Sequence, residues 1–351
     1  MTTASPLSPA AIRKAEEDSP KLRARDLANQ LGLSEAQLVA ARIGQSATRI
    51  AAHPDRLMPA AELLGEVMAL TRVEGCVHEK VGRYANYHPG PHAAMVLTEE
   101  IDLRIFPSQW VHAYAVETAR EDEPPRRSLQ VFDAAGDAVH KIHMRDTSAH
   151  EAWEDVVAAL ALPDQSEGQT VEPRKPVEAA RTNPDKLDIL RAEWTRLTDT
   201  HQFLRLCSKL KMNRLGAYRT AGEPFARPLA PEAVNTMLER IQARGVEVMV
   251  FVGNCGCIQI HSGPIRSLKP MGPWQNVMDP GFNLHLRLDK VAEVWVADKP
   301  TQRGPAVSVE AFDAEGGLIF QIFGRRTEDR DWRPDWQDLV AGLESLREPA
   351  E

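Results

Sequence analysis

The sequence predicts an α+β fold made by tandem duplication, each half a large antiparallel β-sheet flanked by helices. Three observations predict it. Blocks recur in one order at one offset. "GCVH" (75–78) and "GCIQ" (256–259) lie 181 residues apart, as do "IDLRIF" (101–106) and "FNLHLR" (282–287), and "SLQVFDAAGD" (128–137) stands 180 before "SVEAFDAEGG" (308–317). Each copy reads helices first and strands after, and strands without intervening helices imply antiparallel pairing. Between the copies, 163–186 is rich in Pro, Glu and polar residues with no usable hydrophobic face, which reads as a linker. The expected organisation is a first repeat over 1–162, a linker over 163–186 and a second repeat over 187–351.

The elements follow in order. In copy one, 20–31, 34–44 and 59–71 read as helices. β-rich runs come next at 76–81, 93–97, 101–106, 110–117, 127–132 and 138–144, separated by turn signals such as "DAAGD", and a helix closes the copy near 148–161. "LGLSEAQLVAARIG" (31–44) matches "LKMNRLGAYRTAG" (210–222) at the front of copy two with one gap. Copy two places strands near 246–252, 256–261, 282–287, 291–297, 306–312 and 317–323.

Bulk properties narrow the class. A chain of 351 residues suits two domains, and 43% apolar with 26% charged residues is ordinary for a soluble globular protein. A net charge of −8 argues against a chain that coats nucleic acid or an anionic membrane. No apolar run approaches the roughly 18 residues that span a bilayer, and the first residues carry no signal-peptide core. The four cysteines read as reduced thiols in the cytoplasm, and the Cys255–Cys257 pair is a weak metal motif with no second pair nearby.

One histidine stands out. Leu187, Leu190, Trp194, Leu197, His201 and Leu204 are spaced as the stripe that a helix turns toward a core, so His201 takes an apolar slot. A core histidine hydrogen-bonded to a neighbour is the plain alternative. Asp199 followed by Gln202 is also a possible helix start, which would make the stripe two helices with His201 in the first turn of the second. Counting back from Leu31 and Leu210 pairs His201 with Leu22, so the duplicated fold does not need an imidazole there. In "IDLRIF", alternation puts Ile101, Leu103 and Ile105 on one face and Asp102, Arg104 and Phe106 on the other; the second copy sets His285 at the place of Arg104. A solvated face is the common fate of such an arginine. His78, His140 and His143 alternate on strands, with surface or cross-strand roles expected. His88 and His92 bracket "PGP" in a loop that could offer a spare ligand.

At these residues the chain resembles the haemin-degrading and haem-trafficking proteins of bacterial haem uptake, the HemS/ChuS/HmuS/PhuS family. "GCIQIHSGPIRSLKPMGPWQNVMDPGFNLHLR" (256–287) carries the likeness furthest, with "VHEKVGRY" (77–84), "EEIDLRIFPSQW" (99–110), "DTHQF" (199–203) and "NRLGAYR" (213–219) beside it. The resemblance implies one haem (haem b, iron protoporphyrin IX) in a cleft. His201 would be the axial iron ligand and Arg104 the arginine on the distal side. Arg214, Lys299, Gln321 and Arg326 would contact the haem propionates. Phe323 falls where some members carry a hydroxylated aromatic. The chemistry suits these residue types: a neutral imidazole ligates haem iron, an arginine donates hydrogen bonds without coordinating, and carboxylates call for cations.

Two outcomes share such a site. In one, a cytoplasmic haem chaperone receives haem from an importer and passes it on, for example to a downstream haem oxygenase. In the other, a haem oxygenase-like enzyme opens the ring to release iron with electrons from an external reductant. The sequence carries no flavin or nicotinamide fingerprint; delivery is favoured, with Arg104 as the catalytic candidate if the ring is opened. A different class of reading is a DNA-binding regulator acting through "RDLANQLGLSEAQLVAARIG" (25–44), which has the helix–turn–helix pattern. Its second helix carries Arg42 against Glu35, thin charge for meeting phosphates.

Overall fold

The computed structural model describes residues 7–120 and 123–346. The outermost ends of the two expected repeats lie outside the described residues. Two compact units emerge, and neither is continuous in sequence. One comprises residues up to Arg72, 79–175 and 254–259; the other comprises 73–78, 176–253 and 260 onward. Among the described residues, eighteen strands form two nine-stranded antiparallel sheets, with helices packed on them.

The first unit begins with α1 (Pro9–Asp18), α2 (Ala24–Leu31) and α3 (Glu35–Ala40), then β1 (Ala47–Ile50) and α4 (Pro54–Glu62). β2 (Gly65–Arg72), β3 (Cys76–Arg83), β4 (Tyr87–His88), β5 (Ala94–Leu97) and β6 (Asp102–Ile105) follow. β7 (His112–Arg120), β8 (Glu123–Phe132), β9 (Ala138–Ser148) and α5 (Trp153–Leu160) complete it. Its strands pair in the order β1-β7-β8-β9-β2, with β4-β5-β6 as a separate antiparallel run.

The second unit repeats this plan. It has α6 (Leu187–Thr195), α7 (His201–Lys209), α8 (Arg214–Ala221), β10 (Ala226–Leu229), α9 (Ala233–Arg244), β11 (Val248–Gly253) and β12 (Cys257–Gly263). β13 (Leu268–Met271), β14 (Trp274–Asp279), β15 (Phe282–Arg287), β16 (Glu293–Lys299), β17 (Ala306–Phe312), β18 (Leu318–Gly324) and α10 (Arg333–Ala341) follow. The order β10-β16-β17-β18-β11 answers the five strands of the first unit, and β13-β14-β15 answers the three.

The expected helix over 59–71 is corrected. α4 stops at Glu62, and Gly65, at φ +71°, turns the chain into β2, whose Val67, Ala69 and Thr71 alternate inward. The left-handed backbone at Gly65 costs a glycine little and other residues more. The alternation of "IDLRIF" holds: Ile101, Leu103 and Ile105 are fully buried. Equivalent helices start by the same device. Ser34 and Gln37 form a capping box at α3, and Asn213 accepts from Gly216 N–H at 2.9 Å at α8. The short strands β1, β4, β10 and β13, of two to four residues, escaped the sequence reading because one or two residues per face are too few to show a period, and the six-residue β14 escaped with them.

The segment 163–183 contains no helix or strand, yet it is pinned. Arg49 donates to the carbonyls of Ser166 and Gly168 at 3.0 and 2.9 Å, and Asn183 reaches Leu210 O at 2.9 Å.

The expected surface or cross-strand role of His140 is a cross-strand one: from β9 its Nδ1 lies 2.8 Å from Oγ1 of Thr71 on the paired β2, inside the first unit's core, with Nε2 against Tyr84 OH and Trp110 stacked at 6.1 Å. Burial pushes its pKa from 6.5 down to about 3, so the folded state keeps the ring neutral. The unfolded chain therefore takes up a proton that the fold refuses. The stability contributed is complete above about 6.5 and drains as pH falls toward 3. Between pH 6.5 and 5 the unfolding free energy from urea titration should fall, by up to about 1.4 kcal/mol per pH unit from this group, and His140→Gln should flatten that slope. Equal slopes in the two proteins would remove His140 from the account.

Candidate functional site

The stripe from Leu187 to Leu204 is two helices. α6 ends at Thr195, and the backbone turns through 196–200 before α7 starts at His201. The expectation of His201 on a core-facing stripe is thereby corrected in favour of the two-helix reading. α7 buries Phe203, Leu206 and Cys207, with Leu210 buried just past its end, and this sets His201 and Leu204 on its outer face. Trp194, beneath, meets Phe203 edge-on at 4.5 Å and fixes the start of α7 against α6.

The His201 side chain is 90% exposed. It is held by one residue. Asp199 Oδ1 accepts from the His201 backbone N–H at 2.7 Å and faces Nδ1 at 2.6 Å. A carboxylate only accepts, so Nδ1 carries the hydrogen, which leaves Nε2 as the ring's ligating position. These two hydrogen bonds from His201 hold Asp199 below its ordinary pKa. A carboxylate behind an imidazole is the arrangement that orients metal-ligating histidines.

Beside this turn opens a cavity of about 410 Å³, within the second unit. Thr200 lines its edge next to His201. Met249 and Phe251 of β11 and Phe323 of β18 line it on one sheet face, with the two phenylalanine rings edge-on at 5.4 Å. Arg303, Arg326 and Arg333 line it with basic side chains. Gln302 N–H donates to Thr198 O at 3.0 Å, tying the 300–305 loop to the turn that carries His201. Arg333 is paired with Asp331 at 2.6 Å and bonds Arg303 O at 2.6 Å; among the described residues the Arg303 guanidinium has no partner. An apolar wall with guanidinium groups around it suits a flat hydrophobic ligand carrying carboxylates. A second cavity, about 430 Å³, is lined by Leu204, Cys207 and Arg214; among their lining residues neither cavity has a histidine, and only the first has Thr200, next to His201.

The remaining cationic candidates do not all reach the cavity. Arg326 lines it. Gln321 is half-buried on the face of Phe323, between Glu310 and Phe251 in register. Lys299 is only 3% exposed, and its ammonium lies 2.9 Å from Glu310 Oε1 and 2.8 Å from Tyr218 OH. Arg214 donates to Glu310 Oε2 at 2.8 Å. In this structure both cations are engaged by Glu310, which they draw well below the carboxylate range against the opposing effect of burial.

Arg104 stands on β6 of the first unit, about one-third exposed, paired with Asp102 and bonded to Leu103 O at 3.2 Å. His88 and His92 are exposed in the same unit. Cys257 is buried and Cys255 lies 3.3 Å from Asp133; among the described residues no three His, Cys, Asp or Glu side chains gather as a metal site. The DNA-binding reading is corrected. α3, its recognition helix, buries five of its six residues, Leu38 among them, and cannot enter a groove. Sequence reasoning missed Arg303, Arg333 and Glu310, and took Asp199 only as a helix start. "DTHQF" held the signal for Asp199, an acid two residues before a histidine.

The fold and site define a class: duplicated α+β proteins with a carboxylate-backed imidazole beside a basic-rimmed apolar groove. The haemin-degrading HemS/ChuX domain matches residues 32–160 and again 211–343, with His201 between the two stretches. The chain belongs to that family. It is 37% identical over 331 residues to the hemin transport protein HmuS of Yersinia pestis, 94% of this chain and 95% of that one. The structure resembles holo-PhuS, a heme-binding protein from Pseudomonas aeruginosa, with a TM-score of 0.91, 39% identity, and coverage of 98% and 100%. It also resembles ChuS, an E. coli heme oxygenase, with a TM-score of 0.82, 33% identity, and coverage of 92% and 96%.

Proposed function

We propose that this chain binds one haem, haem b, as cargo in the second unit, with His201 Nε2 as axial ligand to the iron. The observation that carries this reading is the Asp199–His201 pair on an exposed turn, whose next residue back, Thr200, lines a cavity that Phe251, Phe323 and three arginines also line. When bound, haem supplies a Lewis-acidic iron, and the chain's residues orient and hold it. Arg326 receives propionate charge, and Lys299, Arg214 and Gln321 supply positive or polar character from the sheet face behind. The names of the relatives, a transport protein, a heme-binding protein and a heme oxygenase, support haem as the ligand. We read the activity as cytoplasmic delivery, from an importer toward a downstream haem oxygenase; among the described residues no helix is long and apolar enough to cross a membrane.

Haemin titration of the purified chain should give a Soret band that saturates at about one equivalent, with the bands of histidine ligation. No spectral change would sink the reading, and two equal tight sites would assign the ligand to both units. Asp199→Ala should keep the fold, since the carboxylate is exposed. It should weaken haemin binding by roughly 10–100-fold, the usual loss on removing the partner of a ligating histidine. An unchanged affinity would show that Asp199 only starts a helix.

Ring opening is the second reading, favoured by the likeness to ChuS and by Arg104. The role of Arg104 rests on the resemblance of its strand, "EEIDLRIF". Arg104→Ala should still load haemin through His201. It should shift the pH at which the ferric spectrum changes, since a guanidinium favours the more negative state. It should also slow loss of the Soret band under ascorbate more than it weakens affinity. A variant equal to the parent in all three assays would place Arg104 on a solvated face.

A further inference from the structure

We propose that Glu310 is a specificity-determining residue, which sets the charge under the ligand site so that one ligand carboxylate is required to balance it; this rests on haem, or a ligand of its shape, occupying the cavity. Three groups around the Lys299 nitrogen must accept. Glu310 Oε1 stands at 2.9 Å; Tyr218 OH and Ser308 Oγ, at 2.8 and 3.4 Å, donate their own hydrogens to Glu310 at 2.7 and 2.8 Å. A neutral amine has two hydrogens; three acceptors require the ammonium. Arg214 is always charged. The cluster, buried at Lys299 and Glu310 and opening at Arg214 on the second cavity, thus sets two cations against one carboxylate and keeps a single positive charge.

That charge lies beneath α7, with the Lys299 nitrogen 5.1 Å from the Phe203 ring, two residues from His201. Its cross-strand partner Ala306 lines the cavity. At low dielectric a surplus charge so placed favours a carboxylate nearby.

The sister unit shows that the fold does not impose this arrangement. Glu310 pairs with Trp295 and Gln321 across its strands; at the same register Gln130 pairs with Tyr114 and Lys141. Glu35 opens α3 where Arg214 opens α8. The first unit has its own carboxylate held by two cations, Glu35 with Arg72 and Lys141, but carries it on the helix. The strand position itself accepts an amide, so Glu310→Gln is compatible with the fold.

The test compares affinities for haemin and haemin dimethyl ester, which lacks both negative charges, at one pH. The ratio of the two cancels any general loss of binding. The parent should prefer the free acid. Glu310→Gln should raise that preference by about tenfold, the lower end of couplings between close charges, and Lys299→Met, which leaves the cluster neutral, should lower it by a similar factor. A ratio unchanged in Glu310→Gln, or moved the same way by both variants, overturns the proposal. If the parent binds acid and ester equally, the proposal fails while haem binding stands; if it binds neither, the functional reading itself falls. Should Glu310→Gln not fold, Lys299→Met still tests the premise that the cluster's charge reaches the ligand, and an unchanged ratio there overturns the proposal.

Discussion

His201→Ala should lose the spectrum of histidine-ligated haem and weaken haemin binding by more than the roughly 10–100-fold expected from removing its carboxylate partner alone. In the proposed reading Nε2 would bond iron directly, the strongest single contact such a site offers, and nothing else on the outer face of α7 would replace it: Leu204 and Arg205 follow, and neither ligates. The fold should not notice. The ring is 90% exposed, and its packing contribution is that of a surface residue, within about 0.5 kcal/mol. Spectral titration with haemin, beside thermal unfolding, separates the two effects. A variant with the parent's spectrum and affinity would move the ligand elsewhere, with His88 and His92 next to examine. A variant that unfolds would mean that the hydrogen bonds to Asp199 hold the turn.

Trp194→Ala should do the reverse, costing stability first. Trp194 is fully buried, its ring lies 4.5 Å from Phe203, 5.5 Å from Phe225 and 6.0 Å from Tyr218, and Nε1–H donates to Asp298 O at 2.7 Å. Emptying such a site should cost about 3–5 kcal/mol, the range for an aromatic truncated to alanine in a core. The cavity would open under the residues that carry the site. Phe203 belongs to the first turn of α7, and Tyr218 holds Glu310. Haemin affinity should therefore fall even where the variant remains folded. Chemical denaturation gives the first quantity and titration below the transition gives the second. A loss under about 1 kcal/mol would show that α6 and α7 repack around the gap.

The duplicated α+β plan was legible because repetition and alternation are properties of the sequence. Strands such as β6 and β15 show an inward face at every second residue, and the same face recurs one repeat later. The 59–71 stretch was misread because an apolar run carries both periods, and only the turn at Gly65 separates helix from strand. Family membership was likewise written in long stretches such as 256–287, and it brought His201 and Arg104 to notice.

Which groups are free was a matter for the tertiary structure. Periodicity put His201 inward because spacing does not reveal a break at 196–200; the fold turns it outward and aims Nε2 by way of Asp199. A lysine in sequence is a charge in water; in the fold Lys299 is buried against Glu310, and its ammonium acts from below the surface. Arg303 and Arg333 sit far along the chain from His201 and carry no motif, and only the closure of β11, β17, β18 and α10 around one cavity brings them to the same lining as Thr200. Local pattern fixes which face a residue takes within its own element. What stands opposite that face depends on contacts between residues a hundred positions apart, and these set exposure, pairing and charge.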